Sequence, residues 1–161
     1  MERADMRTMI PPHARRRPAT HPMDCLARAV PAHACAMSAF TSLQSIGPVP
    51  IWGGILARAI HGRDLTLAVV ELAGGSVVAE HQHVHEQLGI VLRGRVTFTI
   101  GSETRELAAG DTYNIPSNAR HHVVTGPDGA VLLDVFNPVR TDWRDMPAAA
   151  MQPPLWPGSL A

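Results

Sequence analysis

Lysine is missing from this 161-residue sequence: all fourteen basic residues are Arg. A lysine Schiff base and a lysine general base are therefore excluded. Basic excess is missing as well. Fourteen acidic residues balance the fourteen Arg to a formal net charge of +0, which argues against nucleic acid as a partner. Cysteine is scarce, with only Cys25 and Cys35, both near the N-terminus. Two such residues cannot staple the rest of the chain, so a disulfide scaffold is excluded and a reducing, cytoplasmic setting is expected. No apolar run reaches the ~18 residues of a membrane-spanning helix, because Glu71 interrupts the best candidate, so no membrane partner is expected. With hydrophobic residues at 45%, the length suits one globular domain with a real core.

Apolar bulk is least available at the start. Residues 1–36 hold six Arg, three acids, five Pro and eight Ala, with no Phe, Tyr or Trp. Such a stretch buries too little apolar area to offset its chain entropy, and it lacks the apolar centre of a signal peptide. Residues 1–47 are expected to form a flexible or disordered extension, with Met37 as an alternative start. The Arg15-Arg16-Arg17 run reads as solvated tail, since three charges are a weak targeting signal.

From Pro48 onward the sequence reads as strands and turns. Expected strands cover 55–60, 65–72, 77–81, 88–92, 95–100, a short stretch ending at Leu107, 113–115, 121–125 and 130–136. Gly62, Gly74-Gly75, Gly94, Gly101 and Gly110 punctuate them. Val96, Phe98 and Ile100 alternate with Thr97 and Thr99, the period of a half-buried strand. Many short strands at even spacing predict an all-β sandwich or barrel over 48–145, followed by an irregular tail over 146–161.

What the sequence has in excess is histidine. Nine are present, and five of them fall within 81–85 and 121–122. His81 and His83 are two apart, so on a strand they would face one side and offer two imidazoles to one ion. Gln87 could add an amide oxygen, and His121 or His122 could reach in from another strand. Such a set suits one divalent metal, with Zn, Ni, Fe and Mn all open. The competing reading is a group of satisfied core or surface histidines. Asp134 is the second unusual residue, an acid sharing a strand face with Leu132 and Phe136. Two readings stand side by side for it: a functional acid, or a structural ion pair with an Arg. Arg140 follows Pro138 at the strand exit, where its planar fork suits a carboxylate, although a solvated surface Arg has the same sequence signature. Trp52, Phe98, Tyr113 and Trp143 read as packing residues rather than sugar platforms.

Two runs of residues resemble the motifs of the cupins. The first is Gly75, five residues, His81-Gln82-His83, then Gln87 where the family has Glu, then Gly94. The second is Gly110, five residues, Pro116, Asn118 where the family has Gly, His121, and Thr125 where the family has Asn. Fifteen residues separate the two motifs, and the resemblance covers about residues 50–140. It implies an all-β double-stranded β-helix, or jelly-roll barrel, with a metal in its mouth, and its register selects His121 over His122. A neutral Gln87 leaves the metal's double positive charge undiminished, favouring an anionic ligand; a weakly binding, degenerate site is the other reading. Glu86 lies off the ligand register and is expected to face away.

The runs 81–87 and 133–142 are similar, more narrowly, to the small pectin-degradation-type cupins, which convert 4,5-unsaturated monouronates from pectin or alginate to linear keto acids. That resemblance implies metal ligation by His81, His83, Gln87 and His121. It further implies proton transfer by Asp134, a pocket wall at Phe136 and capture of the substrate carboxylate by Arg140. Val84, Asn137 and Val139 depart from the usual residues of these runs. A cytoplasmic homodimer acting on a small carboxylate is the expected form. A non-enzymatic small-anion sensor and a metal-dependent dioxygenase are the alternatives.

Overall fold

The structure, a computed structural model, describes residues 39–158. Of the expected extension over 1–47, residues 1–38, including Met37 and the Arg15-Arg16-Arg17 run, lie outside the described residues, and residues 39–47 include a short 3-10 turn at Leu43–Ser45. Eight strands follow one another: β1 (Val49–Trp52), β2 (Ile55–His61), β3 (Thr66–Leu72), β4 (Val77–His81), β5 (Glu86–Ile100), β6 (Glu103–Ala108), β7 (Thr112–Ile115) and β8 (His121–Asn137). Every pairing is antiparallel, in the order β1-β2-β3-β8-β5-β6, with β4 on β8 and β7 on β5. This is the jelly roll that the strand pattern and the resemblance predicted. Among the described residues, no helix is long and apolar enough to cross a membrane.

Two long strands make the barrel. The second half of β8 pairs with β3 and β5, and its first half pairs with β4 and β5. The sequence reading divided each long strand in two. Gly94 breaks the sequence pattern but not the strand: it has φ 79°, and the register shifts on either side of it while pairing continues. A bulge absorbs the extra residue and bends β5 around the barrel. Strand β1 adds to the expected set; it contains Pro50, and as an edge strand it tolerates the missing N–H.

Inward positions alternate as a pleated sheet requires. Ala57, Val70, Leu132 and Val91 form one row through β2, β3, β8 and β5, each at most 5% exposed. The outer face carries a second buried layer around Arg58, 1% exposed. Its guanidinium donates to the carbonyls of Ile46 and Gln152, both at 2.6 Å, and lies 3.6 Å from the buried Glu71 carboxylate. Glu71 accepts in turn from the Leu155 N–H at 2.9 Å. The tail from residue 146 carries no strand or helix among the described residues, yet these bonds fasten it over β2 and β3.

Candidate metal centre and acid-base site

Strand pairing brings the histidines together. His81 ends β4 and is the direct partner of His121, the first residue of β8. His81 lies on its expected strand, whereas His83 does not lie on a strand, which corrects the expected strand placement of His83. The chain leaves β4 after His81, and residues 82–85 form a bend. That bend is held by the next turn: Asn118 N donates to His83 O at 2.8 Å, and Ser117 Oγ donates to Val84 O at 2.6 Å. Asn118 adopts φ 62°, the left-handed conformation that Asn tolerates better than most side chains, so it fills the position of the motif's Gly. His83 therefore reaches the other two rings through the loop. One ring nitrogen from each of His81, His83 and His121 lies within 4.8 Å of the others, so the three are positioned to hold a metal ion. His122 points to the opposite face of β8, and His85 is outside the cluster.

The backbone sets the tautomer of each ring. Nδ1 of His81, His83 and His121 lies 3.0, 2.9 and 2.9 Å from the carbonyl oxygens of Ala79, His85 and Ala119. A carbonyl only accepts, so every Nδ1 carries the proton and every Nε2 presents a lone pair. Burial, followed by the nearby Arg140 and His121, pushes the His83 pKa down to about 4. Burial also lowers His121, so both rings are neutral at neutral pH, the form a metal requires.

Gln87 adds a sharper test of fit. Its amide Nε2 donates to Asp134 Oδ1 at 3.0 Å, which turns its Oε1 toward His83 Nε2 at 3.2 Å. Two lone pairs then face one another across that gap. A cation between the imidazoles and the amide oxygen converts this repulsion into coordination. The donor set of three imidazoles and one amide oxygen fits a divalent transition metal.

Asp134 is 3% exposed, and its partners are not Arg. The ion-pair reading is replaced by two hydrogen bonds to one oxygen: Oδ1 accepts from Gln87 and, at 2.6 Å, from the Tyr113 hydroxyl. Among the described residues Oδ2 accepts none. Burial raises the Asp134 pKa to about 6, against the opposing pull of Tyr113, Gln87 and Arg140. Tyr113 was expected only to pack. No sequence signal marks its contact with Asp134, because the contact depends on the strand register.

These groups line one cavity of about 130 Å³. Its polar wall is His81, His83, Gln87, His121, Asp134 and Arg140; Phe136 and Trp143 stand among the apolar residues. The Arg140 side chain is 12% exposed, with its guanidinium carbon 4.2 Å from the Trp143 ring centre and 5.0 Å from that of Phe136. Asp142 already takes the Nε and Nη2 side of the fork, at 3.1 and 2.8 Å, leaving the Nη1 and Nη2 end for a ligand. Trp52 corrects the packing expectation. It is 41% exposed, lines the cavity, and has its ring centre 5.3 Å from that of His81. Glu86 is exposed, as its register required.

Residues 68–136 match the Cupin_2 family of cupin domains. The chain is 37% identical over 81 residues to the pectin degradation protein KdgF of Dickeya dadantii, which covers 50% of this chain and 74% of that protein. It is 33% identical over 89 residues to the dimethylsulfoniopropionate lyase DddW of Ruegeria pomeroyi, covering 52% of this chain and 59% of that one. The structure of KdgF from Halomonas sp. superposes with a TM-score of 0.56 at 30% identity, over 59% of this chain and 88% of that chain. An RmlC-like cupin from Shewanella frigidimarina superposes with a TM-score of 0.61 at 26% identity, over 65% and 94%.

Proposed function

The chain belongs to the cupins, as one of their KdgF-like members, and from that membership and the chemistry of its cavity we propose that it is an enzyme converting 4,5-unsaturated monouronates to linear keto acids. The carrying observation is the Asp134 carboxyl, an acid poised near pH 6 in the wall of the cavity that the three imidazoles share. The reaction is an isomerisation. Opening of the ring hemiacetal moves the C1 hydroxyl proton off as C1 becomes an aldehyde, and leaves the ring oxygen on C5 as an enol. The enol then gains a proton at C4 and loses its hydroxyl proton, giving the ketone.

Asp134 suits the proton transfers, through the Oδ2 that its two hydrogen bonds leave open. His81, His83, Gln87 Oε1 and His121 would hold one divalent ion, which when bound supplies a Lewis acid for substrate oxygens. The remaining end of the Arg140 fork would receive the substrate carboxylate, with Phe136 and Trp143 holding the guanidinium plane in place. A cytoplasmic homodimer is the form this reading expects, and light scattering on the full chain tests the dimer.

Loss of the unsaturated uronate chromophore is the assay, with dimethylsulfoniopropionate as the comparison substrate. Asp134→Asn keeps the shape and both hydrogen bonds to Oδ1 but removes the acid. Turnover is expected to fall by about 10²-fold or more with bound metal unchanged. A wild type inert on both pectin- and alginate-derived monouronates refutes the substrate; an Asp134→Asn variant that keeps full turnover refutes the role of Asp134.

A further inference from the structure

Tyr113, Gly89 and Asp134 form one row across three strands. Tyr113 on β7 is the direct partner of Gly89 on β5, and Gly89 is the direct partner of Asp134 on β8. Two strand spacings amount to about 9.6 Å, so a residue with a side chain at the middle position would stand between the other two. Here the phenol lies across the glycine instead. A Cβ on Gly89 would fall 2.2 Å from Tyr113 Cζ and 2.4 Å from its hydroxyl oxygen. Gly89 is not in the left-handed region, so no turn or bulge requires a glycine there. Room for the phenol is what the missing side chain supplies.

The hydroxyl also needs a reason. The Tyr113 ring packs 4.2 Å from that of Phe98, centre to centre, and a Phe would serve that contact without burying a hydroxyl. The hydroxyl donates to Asp134 Oδ1 at 2.6 Å. A carboxyl group turns easily about its terminal torsion, which is broad and two-fold. Two donors on Oδ1, the Gln87 amide and the Tyr113 hydroxyl, oppose that rotation and leave Oδ2 to the cavity.

We infer that Tyr113, threaded across Gly89, is a positioning residue that fixes which carboxyl oxygen Asp134 presents to the substrate. The inference rests on the reading of Asp134 as the proton carrier. It also assigns Gly89 a role in the site that its chemistry alone would never suggest.

Tyr113 is the only tyrosine in the chain, so the metal-loaded, full-length protein labelled with 13Cζ-tyrosine gives a single resonance to follow. That resonance is expected to shift in Asp134→Asn and in Gly89→Ala, which remove the charge of the acceptor and the path to it. In the uronate assay, Tyr113→Phe and Gly89→Ala are each expected to lower kcat by about 10- to 100-fold. KM should stay within about twofold and metal content should equal that of wild type. The double variant should be no slower than the slower single one, because both changes cut the same contact. Should Gly89→Ala fail to fold, Gly89→Ala with Tyr113→Leu removes the clash and should fold with the same kcat loss. A resonance unmoved by Asp134→Asn, a Tyr113→Phe variant with wild-type kcat, or losses that multiply would each overturn the inference. If wild type is inert on uronates, the substrate reading falls while the resonance still decides whether Tyr113 engages Asp134.

Discussion

His83 and Asp134 pull the pH dependence of stability in opposite directions. Burial lowers the His83 pKa from 6.5 to about 4, so between those values the unfolded chain binds a proton there that the folded one does not. Stability from His83 is therefore fully present above 6.5 and is lost as pH falls toward 4. Asp134 is raised from 3.8 to about 6, so between those values the folded chain holds the extra proton. Its contribution is fully present below 3.8 and is lost as pH rises through 6. The windows overlap, and in metal-free protein the two slopes offset each other between about 4 and 6. Asp134→Asn removes one of them. Urea unfolding of the chelated variant should show stability rising more steeply with pH across that window than wild type, and the variant should exceed wild type at pH 7. A variant curve parallel to that of wild type would mean that Asp134 is not protonated in the folded state.

At the scale of elements, the sequence discloses the strands better than their joins. Alternation in 95–100 and the inward row of Ala57, Val70, Leu132 and Val91 follow from local pattern and burial. The continuity of β5 and β8 does not, because a bulge at Gly94 and a turn at Gly94 have the same residue signature. The histidine set was legible from spacing, but its mechanics were not: His83 arrives on a bend pinned by the Asn118 turn, not on a strand. The links from Asp134 to Tyr113 and Gln87 were illegible for another reason, since they join residues 21 and 47 positions apart through strand register. His85 gives the corresponding test of the element. Two residues after His83 on the same bend, it has its Nδ1 buried with no hydrogen-bond partner among the described residues, and it lies outside the cluster. His83→Ala should therefore weaken metal affinity by tenfold or more, since a ligand is lost. His85→Ala should keep affinity near wild type because the His85 carbonyl that orients His83 belongs to the backbone. Equal losses, measured by competition with a chelating dye, would show that the bend does not select the ligand.

On the scale of the whole molecule, the sheet that lines the cavity carries a buried charge pair on its outer face. Arg58 and Glu71 sit on the outer face of β2 and β3, and the row one residue along those strands faces inward. Between them they hold the lead-in at Ile46 and the tail at Gln152 and Leu155, so one cluster clamps both ends of the described chain onto the same sheet. Replacing both charges with apolar groups is often tolerated, whereas removing one leaves the other buried and uncompensated. Arg58→Met should therefore cost about 3–5 kcal/mol, because Glu71 keeps only the Leu155 N–H and two carbonyls lose their donor. Glu71→Gln should cost less, since the amide oxygen can still accept from Leu155 and Arg58 keeps both carbonyls. Adding Glu71→Leu to Arg58→Met should recover part of the loss by removing the orphaned charge. Denaturant unfolding of the three variants checks the order. If Arg58→Met proves no worse than Glu71→Gln, the tail is held by its apolar contacts, and the pair is incidental to the barrel that carries the site.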